Sequence, residues 1–421
     1  MRECAATGKE SVDPVTAIIG IMQTDIGQRP LPPVICALGI AQIISWGSLY
    51  YAIAVLGESM SHDLGVSSTG LFGAFTLSLF LSGLAAPFVG KLIDRHGGRP
   101  ILMGGSVISA VALTLYATAS GPVTVALAAF FAGFALSICL YDAAFVALSQ
   151  IAGERYRKSV TALTLFGGFA STISWPVSQW LLTAIGWRHT LVVYAALQLL
   201  VCLPLHWGFV PRFRPVRQAE IFAHTEAVPS VPPKPYALLA FAFAAGSFVL
   251  SVLSVHIINL YKLAGLSAAD AVLVASLFGP MQVLGRLLEM GFARKLSVVA
   301  VGTLAHVLMV ASLLGLMMVS GYSTLAVVVA ALYGFGNGLM TIVRGVVPAE
   351  LYGREGYGLL LGRLSRPAFA ARAMAPFALP FFLTMGLGQK HAIVGLILIA
   401  VLATISYQVA VRRAVSAPLA T

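Results

Sequence analysis

The sequence predicts an all-α membrane protein with twelve transmembrane helices in two pseudo-symmetric six-helix bundles. Three observations carry that prediction. The 421 residues are 59% hydrophobic and only 10% charged, with a mean hydropathy of +0.92. A soluble domain carries about 25% charged residues, so this chain lacks the polar groups to cover a water-facing surface. Its apolar residues fall into twelve runs, each near the roughly 20 residues a helix needs to cross a bilayer. Finally, a charged ten-residue stretch recurs at the same place in each half of the chain. The net charge of +11 sits mostly in short tracts between apolar runs, a pattern that argues against nucleic acid as a partner.

In chain order, residues 1–33 read as a polar tail. No sustained apolar stretch there is followed by a small-residue cleavage site, so no signal peptide is expected. The first six runs lie at 34–57, 66–90, 101–119, 122–150, 159–184 and 187–210. They are cut by Glu58 to Gly65, by Lys91 to Pro100, by Gly121-Pro122, by the charges from Glu154 to Lys158, and by Gly186. Residues 211–235, "PRFRPVRQAEIFAHTEAVPSVPPKP", form the longest internal polar segment and read as a linker. The second six runs lie at 236–262, 268–290, 297–319, 323–346, 358–386 and 390–411. Their breaks fall at Lys262 to Gly265, Arg294-Lys295, Gly321, Glu350 to Gly356, and Gly386 to Lys390. A short tail, 412–421, follows.

Lys and Arg favour cytoplasmic loops. With the N-terminus inside, eighteen of the 26 Lys and Arg residues fall in inner tails and loops, and only Arg188, Lys262 and Lys390 in outer ones. Both termini and the linker are therefore expected in the cytoplasm, and the chain in the cell membrane. Cys4, Cys36, Cys139 and Cys202 show no paired spacing, so neither a disulfide framework nor a metal site is expected. No phosphate-cradling loop, zinc-protease motif or catalytic triad stands out. No enzyme activity and no cofactor are expected, and the chain reads as a monomer.

The recurring stretch is "GKLIDRHGGR", 90–99, between the second and third runs. Gly90 permits close helix approach, while Gly97 and Gly98 permit a sharp reversal. Asp94, near a helix end, can meet a neighbouring helix N-terminus or an arginine. Between the eighth and ninth runs, "GRLLEMGFAR" aligns on it without gaps: Gly285 matches Gly90, Arg286 matches Lys91, Glu289 matches Asp94, and Arg294 matches Arg99. Internal duplication of a six-helix unit places a substrate site between the halves.

The first stretch fits G-x-L-x-D-R-x-G-x-R, and on it the chain resembles the major facilitator superfamily. "TLFGGFASTISWPVSQWLLTAIGWRHTL", 164–191, and "VPAELYGREGYGLLLG", 347–362, are similar to its monocarboxylate-porter-like branch. The resemblance implies a secondary transporter working by alternating access, with a latch at the inner loops. Gly90, Asp94, Arg95, Gly97 and Arg99 would form it in the first half, and Gly285, Arg286 and Glu289 in the second. For the branch it implies a small organic anion as passenger, commonly moved with a proton by symport. The chain departs from the branch at Gln282 and Arg286, where animal members carry an Asp and an Arg four apart. An exporter of drugs or metalloids is the alternative in the same fold, and a non-transporting receptor or scaffold the alternative in another class.

Charges at membrane depth point the same way. An ionisable group in a span is a functional candidate by default. Asp142 lies roughly 13 Å from the inner end of the fourth run at 1.5 Å per residue. A carboxyl that can gain and lose a proton there is what proton coupling requires, and a structural ion pair is the competing role. Arg372 falls near the middle of the eleventh run, where its guanidinium could grip a carboxylate bidentately. Arg344 is a second candidate for substrate contact, while Arg363 and Arg366 are expected to snorkel toward water. Five in-span arginines against Asp142 and Glu289 favour an anionic passenger. Trp46, Tyr50 and Tyr51 could line a cavity opposite Tyr141, and Trp187 reads as an interfacial anchor.

Overall fold

The computed structural model describes residues 31–212, 233–292, 295–321, 323–386 and 388–416. Most of the expected tails and linker, and Arg294, lie outside the described residues. The described residues are all-helical, without strands, and form twelve lengths. The first half comprises α1 (Leu31–Leu64), α2 (Ser68–His96), α3 (Gly98–Ala117), α4 (Pro122–Ser149), α5 (156–185) and α6 (187–209). The second comprises α7 (Pro233–Leu263), α8 (Ala268–Gly291), α9 (Val298–Met318), α10 (Ser323–Tyr352), α11 (Tyr357–Thr384) and α12 (Gln389–Ser416). Large apolar side chains such as Phe88, Trp180, Leu200 and Leu273 stand exposed around the bundle, as a lipid-facing surface requires.

Local chemistry fixes the ends. The Ser67 hydroxyl accepts from Gly70 N–H at the start of α2, and the Ser267 hydroxyl accepts from Asp270 N–H at the start of α8. Both are N-caps of the ordinary kind, at corresponding places in the two halves. Several helices outrun their apolar runs. In particular, α2 continues to His96, where Gly97 at φ 83° ends it. The Lys91–Asp94–Arg95 stretch therefore belongs to the last turns of α2 rather than to a loop. The whole "GRLLEMG" segment likewise lies inside α8. Gly186, at φ 78° and ψ 167°, is the single-residue turn between α5 and α6.

Interruptions within helices matter more for the site. α4 breaks at Leu140, whose ψ of −172° is extended, and restarts as the nine-residue segment Tyr141–Ser149. The carbonyl of Cys139 at the break accepts a bond from Gln42 Nε2 of α1 at 2.7 Å, so the broken ladder is satisfied inside the protein, as hydrocarbon demands. α1 carries a π-helical turn at Gly47–Tyr51, and α6 carries another at Gln198–Cys202. Gln198 Nε2 donates to Ser45 and Ser48 of α1. Such bulges recur at functional sites, and the one in α1 holds Tyr50 and Tyr51.

The halves meet chiefly along α2 and α11, with α5 against α8 and α10 and the second segment of α4 against α11. The α2–α11 seam is built from small residues. A methyl group on Gly90 would run into the Gly358 carbonyl, one on Gly358 into the Gly90 carbonyl, and one on Gly362 into Ala86. Backbones this close gain dispersion contacts where lipid offers no hydrophobic drive.

Candidate functional site

At the end of the bundle bearing the α2–α3 turn, here the basic end, the two halves are tied by polar contacts. Asp94 accepts from the first free N–H groups of α11, Gly358 N to Oδ1 at 2.8 Å and Leu359 N to Oδ2 at 2.9 Å. A carboxylate there satisfies two orphan donors and faces the positive end of the helix dipole. Glu289 of α8 does the equivalent work with α5. Its carboxylate is wholly buried, pairs with Arg157 Nε at 2.8 Å, and accepts from the Thr161 hydroxyl at 2.6 Å. Arg157 also donates to the Leu296 carbonyl beyond α8. Between these two ties, Tyr156 and Tyr357 both donate to the Gly345 carbonyl of α10.

One layer deeper lies Arg286 of α8, only 3% exposed. Its Nη1 donates to the Thr164 carbonyl of α5 at 2.7 Å, and Nη2 reaches Gln282 and Thr341. The "GG" of α5 admits these side chains: a methyl on Gly168 would lie 2.5 Å from Arg286 Nη1, and one on Gly167 would overlap the Tyr141 hydroxyl. The Nε of Arg286 is buried without a hydrogen-bond partner among the described residues.

Asp142 opens the second segment of α4. Arg344 of α10 approaches it at 3.9 Å, a loose ion pair, and Ser365 of α11 stands beside its carboxyl. Arg372 of α11 is half-buried and makes no hydrogen bond and no ion pair among the described residues. Its guanidinium lies 5.4 Å from the ring of Phe369 on its own helix. It is within electrostatic range of Tyr50, Tyr51 and Asp142 in the opposite half, while Arg286 is within range of Tyr51 and Tyr141. Trp46 touches Tyr50, Tyr51 and Tyr141, with ring centroids 5.1, 6.0 and 5.3 Å apart. Tyr50, Tyr51 and Tyr141 keep part of their surface uncovered while standing within electrostatic range of Arg372 or Arg286 of the second half. Among the described residues no group of His, Cys, Asp and Glu could hold a metal.

The sequence model of the Major Facilitator Superfamily matches residues 38–376. The chain belongs to this superfamily. It is similar to the multidrug resistance protein MdtL of Klebsiella pneumoniae, with 30% identity over 31% of this chain and 32% of the relative. To MdtL of Shewanella oneidensis it is 27% identical over 47% of this chain and 48% of the relative. These matches thus span about a third and about half of the MdtL chains. An MFS-type transporter of Gibberella moniliformis is 25% identical over 68% of this chain and 69% of its own. The fold is shared with the human organic anion transporter MFSD10, with a TM-score of 0.69 at 15% identity, over 90% of this chain and 100% of that one. It is shared also with the E. coli fucose:proton symporter FucP, with a TM-score of 0.68 at 14% identity, over 91% and 99%. The protein is thus a multi-pass membrane protein of the superfamily.

Within this superfamily fold, the expected latch residues divide. Gly90, Asp94 and Glu289 lie where the halves touch, and Gly97 shapes the turn that ends α2. Gly285 does not share the position of Gly90: a methyl there would stand 2.8 Å from the Phe335 carbonyl of α10, in its own half. The aligned stretches therefore present different faces. Arg286 crosses between halves at depth rather than at a loop. Arg95 is exposed, without a hydrogen bond or ion pair among the described residues, and Arg99 lies over Trp207 of its own half at 5.8 Å. Trp187 is no interfacial anchor. The Gly186 turn tucks it into the first-half core at 7% exposure, and Arg188 stacks over it at 4.2 Å.

Arg157, Thr161, Thr164, Tyr156, Tyr357 and Ser365 escaped the sequence reading. Arg157 and Thr161 stand four apart, on one face of α5, but nothing in their spacing names Glu289 as the partner. For the superfamily member described here, Asp94→Asn keeps the shape yet removes the charge and one acceptor. The closed basic end should lose about 1–2 kcal/mol. Transport is expected to fall severely while the protein still reaches the membrane, as read by uptake normalised to surface amount.

Proposed function

We propose that the protein is a secondary active transporter of a small organic anion. It works by alternating access, with the basic end in the cytoplasm and Asp142 as the proton-coupling group for symport. The observation that carries the anion is Arg372, a half-buried guanidinium with no hydrogen bond and no ion pair among the described residues, within electrostatic range of Tyr50, Tyr51 and Asp142 of the opposite half. A cation without a hydrogen-bonded counterpart at membrane depth is costly, and a carboxylate held by its planar fork would supply one. Arg286, with its Nε unpartnered among the described residues, adds positive potential on the same side. Tyr50, Tyr51 and Tyr141 complete the lining from the first half, and Arg344 reaches it through Asp142. The bias of Lys and Arg toward one set of loops supports the orientation.

Asp142 links α4 to α10 and α11 through a loose contact with Arg344 and the neighbouring Ser365. Gaining a proton would weaken its hold on Arg344 and free the inner part of α4 from the second half. The ties at Asp94 and Glu289 would open in the same movement. In proteoliposomes, radiolabelled carboxylates should enter faster with an inward proton gradient than without one. Carboxylate flux indifferent to the gradient would remove the proton, and flux of no carboxylate would remove the anion.

A second reading is export of drugs, favoured by the partly uncovered aromatic rings and by the names of the MdtL relatives. Cells expressing the protein would then survive a toxic apolar compound that kills cells carrying Asp142→Asn.

A further inference from the structure

We infer that the passenger carries an aromatic ring: it is an aryl carboxylate, with its carboxylate on Arg372 and its ring against Trp46, Tyr50, Tyr51 and Tyr141. This rests on the organic-anion reading and narrows it. The four rings form one contiguous surface, with Tyr50 and Tyr51 5.3 Å apart and Trp46 touching all three tyrosines. Phe75 extends it beyond Tyr50 at 5.3 Å, and Trp175 beyond Tyr51 at 5.9 Å. Rings used only for packing would be covered by their neighbours, but Trp46, Tyr50, Tyr51 and Tyr141 are each only part-buried inside the bundle.

The second half adds a part-buried ring, Phe278, backed by Tyr333 with centroids 3.8 Å apart. Tyr333 itself is covered, at 1% exposure, and lies within electrostatic range of Tyr50. Three of these rings have their polar tips engaged, whereas the Tyr50 and Tyr51 hydroxyls make no hydrogen bond among the described residues. Trp46 Nε1 donates to Gln42, the Tyr141 hydroxyl to the Thr164 carbonyl, and the Tyr333 hydroxyl to the Leu250 carbonyl. What the first half offers is the π surface of four rings and two tyrosine hydroxyls; the π surface binds best to another ring, offset-stacked or edge-on. A two- or three-carbon acid would satisfy Arg372 and leave these rings uncovered. An aryl acid satisfies the guanidinium and covers their apolar area as well.

The test is ligand-dependent thermal stabilisation of the purified full chain, titrated with benzoate, phenylacetate, acetate, lactate, cyclohexanecarboxylate and benzylamine. Benzoate and phenylacetate are expected to act at roughly tenfold or more lower concentration than acetate and lactate. Cyclohexanecarboxylate, equal in bulk but without a π face, should fall between them. Tyr51→Leu should narrow the gap between benzoate and acetate, and Tyr51→Phe should preserve it. Acetate or cyclohexanecarboxylate matching benzoate overturns the aromatic inference and leaves the anion reading standing. Stabilisation by benzylamine but by no carboxylate overturns both.

Discussion

Arg157→Ala is expected to drive the protein out of the conformation in which the basic end is closed. The Glu289 carboxylate is wholly buried and Arg157 is its only ionic partner among the described residues, at 2.8 Å. Removing one member of a buried pair costs about 3–5 kcal/mol, because the other charge is left uncompensated. The Arg157 side chain is 18% exposed, and Thr161 continues to hold Glu289, so a cost of about 2–3 kcal/mol is the better expectation. That cost falls on the closed arrangement alone, since rocking the halves apart would expose Glu289 to water. The ratio of closed to open protein should therefore fall roughly 30- to 150-fold, at tenfold per 1.4 kcal/mol. A cysteine introduced at Ala349, buried at the basic end of α10, reports the change through its rate of modification by a polar thiol reagent. Adding Glu289→Gln removes the stranded charge and should return most of the protection, a coupling that a double-mutant cycle measures. Unchanged protection in Arg157→Ala would mean that the pair does not hold the closed state.

The tie between Asp94 and α11 is of another kind, and the difference explains what could be read in the sequence. The twelve spans were legible because hydrocarbon imposes a length and a polarity that composition records directly. The "GKLIDRHGGR" stretch was legible as a motif, and Asp94 as its acid. Its partners were not, because backbone N–H groups of Gly358 and Leu359 leave no trace in residue type. Glu289 could be found by alignment with Asp94, yet its partner is a side chain on α5 rather than a helix terminus. Gly285 shows the limit of the alignment. It matches Gly90 letter for letter but packs against Phe335 in its own half, since pairing in space depends on helix rotation that ten residues do not encode. The break in α4 at Leu140 was hidden for a related reason. No Pro or Gly marks it, and the amide that satisfies its open carbonyl comes from Gln42, nearly a hundred positions away.

Arg372→Ala should abolish anion binding while leaving the empty protein at least as stable as before. The two halves of that expectation have one cause. Arg372 has no hydrogen bond or ion pair to lose among the described residues, so truncation breaks no direct contact, costs Asp142 only a longer-range attraction, and relieves the cost of a charge at membrane depth. The anion, by contrast, would lose charge-assisted hydrogen bonds worth about 1.5–3 kcal/mol each. Loss of a bidentate pair weakens binding by roughly 100-fold or more. Arg372→Lys keeps a point charge without the planar fork and should retain an intermediate affinity. Arg344→Ala supplies the contrast, because it would leave Asp142 without its 3.9 Å ionic neighbour and should disturb the empty protein itself. Thermal unfolding of the three variants, with and without benzoate or acetate, separates these outcomes. Should Arg372→Ala keep the wild-type shift on adding carboxylate, Arg372 does not anchor the anion. The role then passes to Arg344 or to Arg286, whose Nε has no hydrogen-bond partner among the described residues and which lies within electrostatic range of Tyr51 and Tyr141.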